Sequence, residues 1–85
     1  MFGPIVVEFL GTLLLISGGV FGGPLLTIAA LATAIYFGGK ISGGHFNPAV
    51  TFFKFLSGNI SQTKAMYYVS AQYSASLVMF FLFTL

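Results

Sequence analysis

The sequence predicts an all-α membrane protein with three transmembrane helices and one re-entrant half-helix, and three observations carry that prediction. Of 85 residues, 58% are hydrophobic and only 5% charged, with a mean hydropathy of +1.04, whereas ordinary soluble domains carry about 25% charged residues. Glu8, Lys40, Lys54 and Lys64 are the only Asp, Glu, Lys or Arg side chains, too few to give a small core its polar shell. The apolar residues fall into segments interrupted by one polar, glycine-rich stretch, "KISGGHFNPAVTFF", from Lys40 to Phe53. A net charge of +2 points to no nucleic-acid partner, and the absence of cysteine removes disulfides and thiolate metal sites. The expected surroundings are a lipid bilayer, with 1–85 forming a single unit.

The first helix is expected over 4–21, "PIVVEFLGTLLLISGGVF", and the second over 24–39, "PLLTIAALATAIYFGG". Each is close to the roughly 17 to 25 residues that span hydrocarbon. Only Gly22 and Gly23 remain between them, which predicts a tight hairpin, and Pro24 suits the first turn of a helix because its missing N–H has no partner there anyway. The N-terminus carries Glu8 and no basic residue, unlike a signal peptide, so the first helix is expected to be retained. The last helix, over 64–85, is long enough to cross with some tilt. Lys40 and Lys64 flank one side while the Gly18–Gly23 turn has no charge. The positive-inside rule therefore puts the N-terminus in the cytoplasm and the chain end outside after three crossings.

Residues 40–47 require a different explanation. Non-helical backbone at membrane depth survives only where it is buried in protein or lines water, so this stretch reads as a re-entrant loop leading into a half-helix over 48–57. Asn47 is a good N-cap, Pro48 a favoured first helical residue, and Gly58 suits the position past the C-terminus. At about 1.5 Å per residue the half-helix measures about 15 Å, half the hydrocarbon thickness. Its start then lies near the midplane, aiming free N–H groups and a positive dipole end at whatever occupies that level. Such an arrangement reads as a solute site.

Other signals are less specific. Ala30, Ala34 and Gly38, and likewise Ser70 and Ser74, form small-residue stripes that permit close helix approach. Asn59–Ser61 matches a glycosylation acceptor but reads as a turn, with Ser61 available to cap the final helix.

Beyond these physical readings, "SGGHFNPAVT" resembles the first Asn-Pro-Ala loop of the major intrinsic protein family, the aquaporins and aquaglyceroporins. The wider stretch "GGKISGGHFNPAVTFF" fits the same loop, "EFLGTLLL" resembles the family's first helix with its buried glutamate, and "AQYSAS" resembles the "AQxxGA" of its third. The resemblance covers essentially the whole chain, in order. It implies that the carbonyls of Gly43, Gly44 and His45 line a pore and that Asn47 donates its amide to a permeating oxygen, with Pro48 and Ala49 completing the motif. Glu8 is then expected to accept hydrogen bonds from the loop backbone, and Gln72 to support the loop. Thr27 aligns with a constriction position that is aromatic in water-selective members, which implies a wider opening. The implied activity is passage of water or small neutral solutes such as glycerol, without ions or protons.

The chain matches only the first half of the family's inverted repeat, since it has no second Asn-Pro-Ala and no arginine. A second half-repeat is therefore an expected partner, either the C-terminal half of a longer chain or an inverted copy; the apolar end "FFLFTL" favours a fragment. The resemblance also implies the family's homotetramer. For single residues, simpler readings stand beside these. Glu8 could mark a helix end at the interface, Gln72 could make an ordinary interhelical hydrogen bond, and His45 lacks the companions a metal site needs. No paired carboxylates, activated nucleophile or phosphate loop suggests an enzyme or a cofactor. The alternative function is a non-conducting membrane structural or assembly protein.

Overall fold

The computed structural model describes residues 2–85, and among them every regular element is an α-helix: α1 (Phe2–Ser42), α2 (Pro48–Leu56) and α3 (Gln62–Thr84). A straight helix of 41 residues would be about 60 Å long, yet the longest dimension of the molecule is 37 Å. The fold-back is at Gly23, the one residue inside α1 with non-helical backbone angles (φ 77°, ψ −165°). Only glycine adopts such a conformation freely, and Pro24 restarts the helix directly after it. The turn thus contracts to one residue, because Gly22 stays in the first arm.

The two arms of α1 pack closely. A methyl group added at Gly18 would meet the Leu26 carbonyl at 2.9 Å and Ala30 at 3.0 Å, and one added at Gly3 would meet Ile41 at 3.8 Å. Ala30, Ala34 and Gly38, spaced one turn apart, are all buried, so the small-residue stripe of the second arm is a contact face. The stripe expected at Ser70 and Ser74 is not: both are exposed, and Ser70 donates back to the Met66 carbonyl at 2.8 Å. α3 instead turns Tyr68, Ala71, Gln72, Ala75 and Met79 inward. The reason is that Gln72 has buried polar partners, whereas a serine can satisfy its hydroxyl within its own helix.

Helix ends follow local chemistry. The second arm continues three residues past Gly39, through Ser42, because Gly43 N–H still reaches the Gly39 carbonyl at 2.8 Å. α2 begins where Asn47 Oδ1 accepts the Ala49 N–H at 2.8 Å and Pro48 occupies the first turn. It ends on Gly58 (φ 81°), with Gly58 N–H donating to Phe55 O and Asn59 N–H to Lys54 O, the paired bonds that close a helix on a left-handed glycine. α3 starts at Gln62, two residues before the expected position, because Ser61 caps it by accepting the Lys64 N–H.

The core mixes polar groups with small and aromatic apolar ones while the large aliphatic and most aromatic side chains lie outside, unlike a water-soluble fold. Glu8, Thr51, Gln72, Tyr68 and Phe46 are the largest fully buried side chains. Phe2, Leu25, Phe37, Phe53 and Phe80 to Phe83 are among the exposed ones. α1 and α3 are both long and apolar enough to cross a membrane.

Candidate functional site

The segment 43–47 joins the second arm of α1 to α2, and the cluster of buried polar groups forms around it. Gly43 (φ 94°), Gly44 (φ 69°) and Phe46 (φ 53°) all lie in the left-handed region. Glycine takes that conformation without strain, but Phe46 does so at a cost, so something must hold it. Two things do. Its ring is 2% exposed and rests where any side chain at Gly11 would lie, and its N–H donates to Glu8 Oε1 at 2.7 Å.

Glu8 is the anchor of the segment. Its Oε1 also accepts from Gln72 Nε2 at 2.9 Å, while Oε2 accepts from Ser42 Oγ at 2.7 Å and from the His45 N–H at 3.0 Å. Four donors converge on one fully buried carboxylate, and all four face it as donors. That arrangement suits the ionised, acceptor-only form.

The direction of these N–H groups determines where the carbonyls go. In a trans peptide the N–H of one residue and the C=O of the residue before it point oppositely, and no peptide bond among the described residues is cis. His45 N–H and Phe46 N–H point at Glu8 and Gly44 N–H points at Ser42 Oγ (3.1 Å). The carbonyls of Gly44, His45 and Gly43 are therefore turned away from this buried anchor. Among the described residues no donor reaches them.

The remaining side chains stand in three places. Asn47 is exposed, and with its Oδ1 held by Ala49 N–H its Nδ2, which has no partner among the described residues, is left to donate. Gln72 ties α3 to both Glu8 and Thr51 Oγ1, the latter at 2.9 Å, and Pro48 and Ala49 form the first turn of α2. Thr27 lies apart from this cluster, four residues beyond the fold-back, with its hydroxyl donating to the Gly23 carbonyl at 2.8 Å. Among the described residues no group of three His, Asp or Glu side chains could hold a metal ion.

Several members of the cluster escape a reading of the sequence. Ser42 donates to Glu8 and accepts from Gly44, Tyr68 donates its hydroxyl to the Ser42 carbonyl, and Thr51 meets both Gln72 and His45. A weak signal for two of them exists. Tyr68 precedes Gln72 by four residues and Thr51 follows Asn47 by four, so each shares a helix face with a residue already singled out.

Residues 25–84 match the family described as Major intrinsic protein. Similar proteins include the probable aquaporin TIP1-2 of Oryza sativa subsp. japonica, 48% identical over 60 residues that cover 71% of this chain and 24% of that protein. Aquaporin-9 of Homo sapiens is 41% identical over 88 aligned residues, covering 84% of this chain and 30% of that protein. The chain thus aligns over less than a third of the length of the curated relatives it matches. No solved structure gives a significant match. With a match over most of its length and a loop whose backbone is turned outward from a buried carboxylate, the chain belongs to the major intrinsic protein family, whose members are membrane channels and not enzymes.

Proposed function

We propose that this chain is the first half of an inverted-repeat channel that passes water and small neutral solutes, glycerol among them, while excluding ions and protons. The observation that carries this reading is that, among the described residues, the Asn47 amide nitrogen and the outward-turned carbonyls of Gly43, Gly44 and His45, in one short segment, all lack a partner. A hydroxyl or a water needs both an acceptor for its hydrogen and a donor for its oxygen, and this row offers both. The N-terminus of α2 adds a positive field that opposes cations and protons.

In this reading the arms of α1 and the helix α3 make three membrane crossings, with the N-terminus in the cytoplasm, and residues 40–57 dip in and climb out between the second and third. Bare carbonyls cost several kcal/mol each in hydrocarbon, so the row has to face a second half-repeat across a water-filled path. That half comes from further chain or from an inverted copy, and the completed unit assembles as the family's homotetramer. Thr27, near the fold-back, sets the width of the path toward that end.

The test fuses this chain to the second half of Aquaporin TIP1-2 of Zea mays and measures osmotic water flux and glycerol flux in proteoliposomes. Flux above that of empty vesicles, largely lost in Asn47→Ala with helicity retained, is the expected outcome. A folded Asn47→Ala variant with unchanged flux would remove the assignment.

A further inference from the structure

Thr51 is fully buried, and its hydroxyl lies 2.9 Å from both Gln72 Nε2 and His45 Nδ1. The direction of each hydrogen bond can be deduced by following the donors from Glu8. Its carboxylate is an acceptor, so the Gln72 atom 2.9 Å away must be the amide nitrogen and not the oxygen. That same nitrogen faces Thr51 Oγ1 and gives it the second amide hydrogen. Thr51 Oγ1 accordingly accepts from Gln72, and its own hydrogen needs an acceptor.

Three other threonines, Thr27, Thr33 and Thr84, return that hydrogen to the carbonyl four residues back. Among the described residues Thr51 makes no such bond, and its remaining contact is His45 Nδ1. Donation from Thr51 requires Nδ1 to be unprotonated, which puts the ring hydrogen on Nε2. Nε2 has no partner among the described residues and lies 3.4 Å from where a side chain on Gly43 would begin.

We propose that Thr51 is a positioning residue that holds His45 as its Nε2–H tautomer, so that the imidazole presents a fixed N–H donor beside Gly43, toward the oxygen of a neutral hydroxylic solute. The solute part rests on the channel reading above; the tautomer part does not. Donors at His45 Nε2 and Asn47 Nδ2 then flank the acceptors of Gly43, Gly44 and His45, and a passing hydroxyl is met by a donor at each end of the row. Tyr68, edge-on to the imidazole with ring centres 5.0 Å apart, limits ring rotation.

His45 is the only histidine, so the 85-residue chain labelled with 15N-histidine in lipid bilayers gives one pair of ring-nitrogen signals. At a pH where the imidazole is neutral, solid-state NMR should show Nδ1 unprotonated and Nε2 protonated. Thr51→Val should raise the share of the Nδ1–H form by about fivefold, the equivalent of one lost hydrogen bond, while Thr51→Ser should restore the original signals. A protonated Nδ1 in the unaltered chain, or the same tautomer populations in Thr51→Val, overturns the proposal. In the fused channel Thr51→Val should slow glycerol flux and Thr51→Ser should not. If the unaltered fusion conducts nothing, the channel reading fails while the NMR result still decides the tautomer.

Discussion

Replacing Glu8 with glutamine keeps the shape of the anchor and exchanges one acceptor oxygen for a donor. Placed with its oxygen toward Phe46 and Gln72, the new side chain keeps the bonds at 2.7 and 2.9 Å and points its NH2 at Ser42 and His45. Ser42 can adapt, because its hydroxyl already lies 3.4 Å from the Gly38 carbonyl and can turn to donate there. The His45 N–H cannot turn, since it is part of the backbone. It loses a bond to a charged acceptor, worth about 1.5–3 kcal/mol, and is left buried against another donor. The opposite placement is worse, because it opposes both Phe46 N–H and Gln72 Nε2. The expected cost is therefore about 3 kcal/mol, which corresponds to roughly a hundredfold faster opening of the segment.

Hydrogen exchange in bilayers or detergent reads that opening directly. In Glu8→Gln the His45 amide should exchange about a hundredfold faster, with Phe46 following as the segment loosens, while amides in the middle of α3 stay protected. The chain should still insert, and the fused channel should lose flux because its carbonyls are no longer held in one direction. Unchanged exchange at His45 and Phe46 would show that Glu8 is not the anchor and would refute the reasoning.

Other substitutions probe neighbouring parts. Gly11→Ala places a methyl group within 2.8 Å of the buried Phe46 ring, and should lower stability by about 1–3 kcal/mol in a detergent unfolding titration. Phe46→Ala removes that ring altogether and should cost about 3–5 kcal/mol by the same measurement. Gln72→Leu leaves Glu8 Oε1 and Thr51 each short of a donor, and a loss of about 1–3 kcal/mol is expected. Thr27→Phe, on a half-buried turn away from the cluster, should leave stability nearly unchanged and reduce glycerol flux more than water flux in the fused channel; equal effects on the two would count against a constriction there.

Much of the fold was legible because short-range chemistry dictates it. Asn47 followed by Pro48 specifies a helix start, Gly58 specifies its stop, and Gly23 before Pro24 specifies a break, in each case through the conformations those residues permit. Helix ends whose bonds reach outside the local pattern were less legible. Nothing between Lys40 and Ser42 says that the second arm continues, since its extension is fastened by Ser42 to Glu8, 34 residues away. For the same reason the buried face of α3 could not be read from its small residues. Ser70 and Ser74 satisfy the stripe pattern as well as Ala71 and Ala75 do, and only the partners waiting for Gln72 set the rotation.

The sequence by itself determined that the chain is helical, lipid-compatible and broken by one polar loop, because composition, glycine placement and capping act on neighbouring residues without reference to the rest of the fold. The tertiary structure alone decided which way that loop faces. Glu8, Ser42, Thr51, Tyr68 and Gln72 come from all three helices and meet around 43–47. Only when they meet do the N–H groups turn inward and the carbonyls outward. A trans peptide cannot point both groups the same way, so the direction of the carbonyl row is set by a carboxylate more than thirty residues distant in the chain.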